Sequence, residues 1–226
     1  MTSNTNRIRI GLFVALLCVA DVAGIPQTSQ QISQPAPRPT SQPYSGDLSI
    51  FEYPDRDKKL QIDRVMDLLA ITPGKTVADI GAGSGWFTVR AARRVGDKGS
   101  VIAEDINPKA IEFIRQRALK EKLPNIRLSL GSPDDPRLPA SSVDAVLLLK
   151  VYHEIAHPIP VMQLVRASLK PGGKVGIIDR NGNGADHGLN QKVVEREMRE
   201  AGYKLAARFD FTKADGQDYF LIFIAK

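Results

Sequence analysis

The sequence predicts an α/β fold: a doubly wound, mainly parallel sheet of seven strands that ends in a C-terminal antiparallel hairpin. Three observations predict it. After residue 50, short apolar runs alternate with segments of helical periodicity, and such alternation builds a parallel sheet covered on both faces. The apolar run in "SVDAVLLLKV" (142–151) suits a strand buried on both sides. Finally, "YKLAARFDF" (203–211) and "DYFLIFIAK" (218–226) face each other across "TKADGQ", the signature of a hairpin.

The elements follow in order. "DRDKKLQIDRVMDLLAI" (55–71) places Ile62, Val65, Met66 and Leu69 at helical spacing and stops at the turn "TPGK". "TVADI" (76–80) is the first strand. It runs through a glycine-rich turn into the helix "WFTVRAARRVG", closed by Gly96. "GSVIAEDI" (99–106) is the second strand. Asn107 then caps a helix with Pro108 in its first turn, and this helix buries Ile111, Ile114 and Ala118. "NIRLSLG" (125–131) is the third strand and "SVDAVLLLKV" the fourth. A helix from about Ile159 to Leu169 ends at "KPGG", "KVGIID" (174–179) is the fifth strand, and a helix covers about Leu189 to Ala201 before the hairpin. Ligands of such sheets sit beyond the carboxyl ends of the strands, at the switch point.

The N-terminal quarter differs in kind. Residues 1–24 have the parts of an export signal: Arg7 and Arg9, the apolar core "IGLFVALLCVA" (10–20), then small residues at cleavage spacing. The core is short for a membrane span, which needs about 20 residues. Export to the periplasm or anchoring at a membrane through this segment is expected, with a cytoplasmic protein as the alternative. Residues 25–50, rich in Pro, Gln and Ser, are expected to be a disordered linker, and residues 51–226 the folded domain. The net charge of +6 is scattered, with no basic block interleaved by aromatics, so no nucleic-acid partner is expected. The one cysteine, Cys18, lies outside the folded part, which excludes disulfides, zinc–thiolate sites and cysteine nucleophiles there.

"VADIGAGSGWFT" (77–88) carries the chemistry. Its glycines do not fit the dinucleotide pattern G-x-G-x-x-G, because the sixth position from Gly81 is Trp86; no lysine follows to make a triphosphate loop. Asp79 stands beside the turn, where a carboxylate repels a pyrophosphate and attracts an ammonium. A charged pair at hydrogen-bond distance contributes roughly 1.5–3 kcal/mol. The expected ligand is therefore a nucleoside with a cationic tail.

D-x-G-x-G-x-G after a first strand resembles the binding motif of class I S-adenosylmethionine-dependent methyltransferases. The resemblance runs over about 55–226: the acid ending the second strand, "LVRASLKPGGKVGIID" (164–179), and "EAGYKLAARFDF" with its hairpin, all in the right order. It implies a Rossmann-like methyltransferase fold, S-adenosylmethionine as cofactor, and methyl transfer to a small molecule by in-line displacement at the sulfonium methyl. The alternative is a non-catalytic nucleoside-binding or S-adenosylmethionine-binding module of the same fold. An oxidoreductase using a dinucleotide, which Asp79 and Trp86 oppose, and an exported interaction protein remain as other classes.

By the resemblance, Gly81, Ala82, Gly83 and Gly85 approach the amino-acid part of the cofactor, and Asp79 holds its ammonium directly or through water. Asp105 grips the ribose hydroxyls, with Ile106 beside it; Glu104 is read as a solvated neighbour, though it could take that role. Where many relatives have Gly-Asp-Ala, this chain has Gly131-Ser132-Pro133-Asp134, so the adenine contact falls to Ser132 or Asp134. Lys150 ends the fourth strand. Tyr152, His153 and Glu154 follow as candidate catalytic residues, with His157 nearby; His153 is a candidate general base or packs beside the cofactor tail. Asp179, Arg180 and His187 either line the substrate mouth or shape the loop. No Asn-Pro-Pro-Tyr-like motif follows the fourth strand, which disfavours amino-group acceptors in nucleobases or glutamine. The cysteine-free domain disfavours thiol-dependent arsenite methylation. No acidic cluster of the catechol type is present, so no metal is expected.

Overall fold

The computed structural model describes Met1 and residues 37–226. The export signal and residues 25–36 of the expected linker lie outside the described residues. The sheet has seven strands: β1 (Thr76–Ile80), β2 (Ser100–Asp105), β3 (Ile126–Leu130), β4 (Val143–Leu149), β5 (Leu169–Asp179), β6 (Tyr203–Phe209) and β7 (Tyr219–Ala225). Their order is β3-β2-β1-β4-β5-β7-β6. The first five are parallel, and β7 inserts antiparallel between β5 and β6, as the hairpin signature requires.

Side chains alternate across each strand, so neighbours in sequence go to opposite cores. Ala78, Val146, Leu148 and Ile177 pack on one face with Met162 and Val165 of α5 (Pro158–Ser168) and Val194 and Met198 of α6 (Gln191–Glu200). Val77, Ala145, Leu147 and Ile178 pack on the other with Leu60 of α1 (Arg56–Leu60), Val65 of α2 (Ile62–Leu68), and Trp86, Phe87 and Ala91 of α3 (Trp86–Val95). This explains the continuous apolar run of β4, which borders a core on each side. Cutting back one such side chain, Leu148→Ala for example, removes about 2–5 kcal/mol.

Local details depart from expectation in four places. The single helix expected over 55–71 breaks at Gln61, whose φ of 51° lies in the left-handed region. The Gln61 side-chain amide donates to the Phe211 carbonyl at 3.2 Å, tying the break to the turn before β7. β5 begins at Leu169 rather than Lys174, because its pairing with β4 jumps from Val143↔Leu169 to Ala145↔Lys174 and leaves the "KPGG" residues as an irregularity inside the strand. In α4 (Pro108–Lys120), Asn107 caps Lys109 as expected, but Ala118 is only half-buried. And residues 37–50, expected to be linker, lie against the domain: Ser41 is buried, the Arg38 amide donates to the Ala156 carbonyl at 3.2 Å, and Asp47 caps a short 3₁₀ turn over Leu48–Phe51.

β1 pairs with β2 on one side and β4 on the other. The chain thus winds away from β1 in both directions, and a crevice opens beyond the carboxyl ends of β1 and β4.

Candidate functional site

A cavity of about 460 Å³ occupies that crevice, within the roughly 300–1,000 Å³ usual for small-molecule sites. Its floor is the turn after β1. Gly81 and Gly83 have φ of 66° and 55°, left-handed values that favour glycine. A Cβ on Gly81 would collide with the Val151 side chain, so the turn closes tightly on the start of the next connection. Gly85 does not line the cavity; it starts α3 and lies against Ile114 of α4.

Four carboxylates line this one cavity, and three of them, Asp79, Glu104 and Asp105, gather at the glycine turn and the ends of β1 and β2. Asp79 is 2% exposed. It accepts from the Thr88 hydroxyl at 2.6 Å, yet burial pushes its carboxyl up to about 7, with the Asp105 charge adding to the rise. Glu104, expected to be solvated, is buried instead. Burial first, then the Asp105 charge, carries it to about 8, while the Gly81 amide donates to it at 3.4 Å. The reason for the difference is the parallel pairing that sets Glu104 beside Ile80, at the head of the glycine turn. Asp105 is raised by burial and opposed by two amides, Asn107 and Gly83, each donating at 2.8 Å. The carboxylates tie the turn to β2 and leave the cavity rich in groups that gain from a cation and from hydroxyl donors.

Ile106, Ser132, Pro133 and Pro136 also line the cavity. Asp134, the alternative to Ser132, points elsewhere and pairs with His157 at 2.8 Å. Lys150, at φ 61° after β4, lines the cavity, and its ammonium lies 3.1 Å from Asp215 and 3.2 Å from the Tyr53 hydroxyl. Burial lowers the Lys150 ammonium, against the pull of Asp215.

Of the candidate catalytic residues, Glu154 alone lines the cavity. Tyr152 is fully buried in the core beneath, with its hydroxyl 3.1 Å from Glu197, so it is structural. His153 is buried, and its Nδ1 lies 2.8 and 3.0 Å from the two oxygens of Asp179. A carboxylate only accepts, so Nδ1 carries the proton and Nε2 is the free nitrogen of the neutral ring. Arg180 shapes the next loop, its Nε donating to the His187 carbonyl at 2.9 Å.

Sequence reasoning missed the N-terminal wall. Thr40, Gln42, Pro43, Tyr44, Leu48 and Phe51 all line the cavity. Arg56 joins them, stacked 4.1 Å from the Trp86 ring centroid, with its Nε buried and unpartnered among the described residues. No local signal marks these residues as site residues, because their approach to the glycine turn and to Trp86 joins segments distant in sequence.

A family model described as "Methyltransferase domain" matches residues 71–214. The chain belongs to the methyltransferase domain family. Its similarity to an arsenite methyltransferase of Halobacterium salinarum is 33% identity over 110 residues, 49% of this chain and 28% of that protein. To a nocamycin O-methyltransferase of Saccharothrix syringae it is 30% over 115 residues, 50% of this chain and 41% of that protein. These matches thus span about half of this chain and less than half of either relative. A crystal structure of a SAM dependent methyltransferase from Aquifex aeolicus superposes with a TM-score of 0.72 at 20% identity, covering 80% of this chain and all of that one, which fixes the fold. Membership implies S-adenosylmethionine as the cofactor. The residues of this domain fit it: a nucleoside diol can donate to Asp105, and two positive centres enter a pocket lined by carboxylates whose ionised forms gain from them.

Proposed function

We propose that the protein transfers a methyl group from S-adenosylmethionine to a small-molecule acceptor by in-line displacement. The convergence of Asp79, Glu104 and Asp105 on the glycine turn carries this reading, because it favours a cationic nucleoside over any polyphosphate. When bound, the cofactor supplies an electrophilic methyl on a positively charged sulfur. Asp105 takes the ribose hydroxyls and Asp79 the ammonium, and the glycine turn lies along the amino-acid part, with Gly81 and Gly83 allowing close approach. Arg56 is in position to meet the cofactor carboxylate. Lys150, held by Asp215, and the N-terminal wall of Thr40 to Phe51 keep water from the methyl. The acceptor enters on the side of Glu154.

The chain itself does the orienting, which is the main task in such a transfer. Although one relative is named for arsenite, the only cysteine here is Cys18, so a thiol-bound arsenic acceptor is not part of the proposal. The leader-like residues 1–24 support export or membrane anchoring as part of the same proposal. Calorimetry on the full chain tests the core of it. S-adenosylmethionine should bind, Asp105→Ala should weaken both it and adenosine at least tenfold by loss of two charged hydrogen bonds, about 1.5–3 kcal/mol each, and ATP should not compete. Tighter binding of ATP or NAD than of S-adenosylmethionine would refute the reading.

A further inference from the structure

Beside the cavity, at the carboxyl ends of β4 and β5, three side chains converge that cofactor binding does not use. His153, Glu154 and His187 each present one ligand atom, and these atoms all lie within 4.8 Å of one another. His153 Nε2 and Glu154 Oε1 are 3.9 Å apart. The two imidazoles meet edge to face at 6.0 Å between centroids. Tetrahedral ligand atoms each about 2.0–2.2 Å from one ion lie about 3.3–3.6 Å apart. A combined side-chain movement of up to about 1.4 Å in the half-buried Glu154 and the exposed His187 closes the set.

The partner behind His153 is of the kind a ligand imidazole needs. Asp179 is fully buried, holds Nδ1–H with both oxygens, and is itself fixed by the backbone amides of Arg180 at 2.9 Å and His153 at 3.3 Å. This leaves Nε2, which faces Glu154, as the nitrogen that can ligate. His187 comes from the other side on the 181–189 loop, which is pinned by the Leu189 amide to the Arg180 carbonyl at 2.8 Å and the Gly184 amide to the Gly188 carbonyl at 2.7 Å. A general base at His153 would explain Asp179, but it would not call for a second imidazole and a carboxylate aimed at the same nitrogen.

We propose that His153 Nε2, Glu154 and His187 form a binding site for one divalent transition-metal ion of the zinc class, with Asp179 as the positioning residue behind His153. Two imidazoles and one carboxylate suit zinc, cobalt or iron(II) and not magnesium or calcium, which prefer oxygen-only sets. The catechol-type acidic cluster that the sequence lacks is an oxygen-donor arrangement, so its absence leaves this set untouched. Three protein ligands leave a coordination position open, and Glu154 lines the cavity, so that position faces the acceptor. This assigns the acceptor a class, and the assignment rests on the methyl-transfer reading: a small molecule presenting a hydroxyl or enol oxygen to the ion. The ion acidifies the O–H and its proton goes to water. The oxygen then forms the new O–C bond to the methyl, and the electron pair of the breaking C–S bond stays on sulfur, which becomes a neutral thioether.

The test is a calorimetric titration of chelator-stripped, full-length protein with Zn²⁺ alone. Three variants accompany it: His187→Ala, Glu154→Gln and, as a control on the remaining histidine, His157→Ala. One ion per chain, bound equally by His157→Ala and at least about tenfold more weakly by the other two, is the expected result. His187 is exposed, so its variant keeps the fold. No zinc binding by the parent chain, or equal affinity in His187→Ala, overturns the site. Titration of the same samples with S-adenosylmethionine separates the two readings: cofactor binding without zinc binding overturns the metal site alone, and failure of the parent chain to bind the cofactor overturns the acceptor assignment.

Discussion

Asp79→Asn should remove a pH dependence from cofactor binding. In the empty cavity burial holds the Asp79 carboxyl up to about 7, in the company of Asp105, Glu104 and Arg56 and under the Thr88 hydroxyl. A bound ammonium favours the ionised form, so a proton must leave as the cofactor binds, and affinity falls as the pH drops. For one group titrating near 7 the apparent dissociation constant scales as 1 + 10^(7 − pH). Between pH 7.5 and pH 5.5 it should rise about 25-fold, equivalent to about 1.9 kcal/mol. That window ends below 7.7–8.0, the midpoint range of a free α-amino group, so most of the amine stays protonated across it. Asparagine keeps the shape and the acceptor for Thr88 but cannot titrate. Its affinity should be lower throughout and the steep part of the profile gone. Glu104, raised to about 8, contributes in the same direction, so Glu104→Gln is run alongside to isolate the Asp79 share. Calorimetry in buffers of different ionisation enthalpy reads both affinity and proton release. An Asp79→Asn protein with the parental slope, or a parent that binds more tightly in acid, would refute the placement of the ammonium.

Four other outcomes follow from the same geometry. Gly81→Ala, forced to a φ of 66° and into Val151, should lose about 1–3 kcal/mol in urea denaturation; an unchanged midpoint would mean the turn relaxes freely. The cofactor-free protein should lose stability as pH rises from about 4 to about 8. Asp79 and Glu104 bind protons more tightly folded than unfolded, so the stability they add below their unfolded values is lost as pH climbs through the raised ones; melting temperatures flat across that range would contradict their burial. Deleting residues 1–46 strips Thr40, Gln42, Pro43 and Tyr44 from the cavity wall and should weaken cofactor binding while the sheet stays folded by circular dichroism; equal affinity would deny the segment its role. Lys150→Met leaves the buried Asp215 carboxylate without its cation and should cost about 1–3 kcal/mol, recovered in part by adding Asp215→Asn; no recovery in the double variant would show that the pair is uncoupled.

What could be read along the chain is what depends on near neighbours. Alternation sends Val77 and Ala78 to opposite cores, and the run through Leu147 and Leu148 follows from it. Asn107 and Pro108 begin α4 because capping is local. The glycines of 81–85 bring Asp79 to the end of β1 by spacing alone, and the structure sets Asp79 in the cavity wall as that spacing suggests. The misreadings have the opposite character. Glu104 reads as a solvated side chain from its neighbours in sequence, since nothing within a few residues shows that it pairs beside Ile80 at the glycine turn. Gln61 breaks a helix because of the Phe211 carbonyl 150 positions away. Residues 37–50 have the composition of a linker and yet wall the cavity, held by contacts with distant chain such as the Arg38 amide to the Ala156 carbonyl.

The sequence by itself determined the alternation of elements, the place of the ligand crevice and the charge of its floor, all consequences of short-range periodicity and of glycine at left-handed turns. Only the tertiary structure decided which carboxylates share the cavity, that Tyr152 is core, and that His153 meets Asp179 and His187. Those pairings join strand ends and loops that are 26 and 34 residues apart, and pairing of that range is fixed by strand order and packing, which no local pattern encodes.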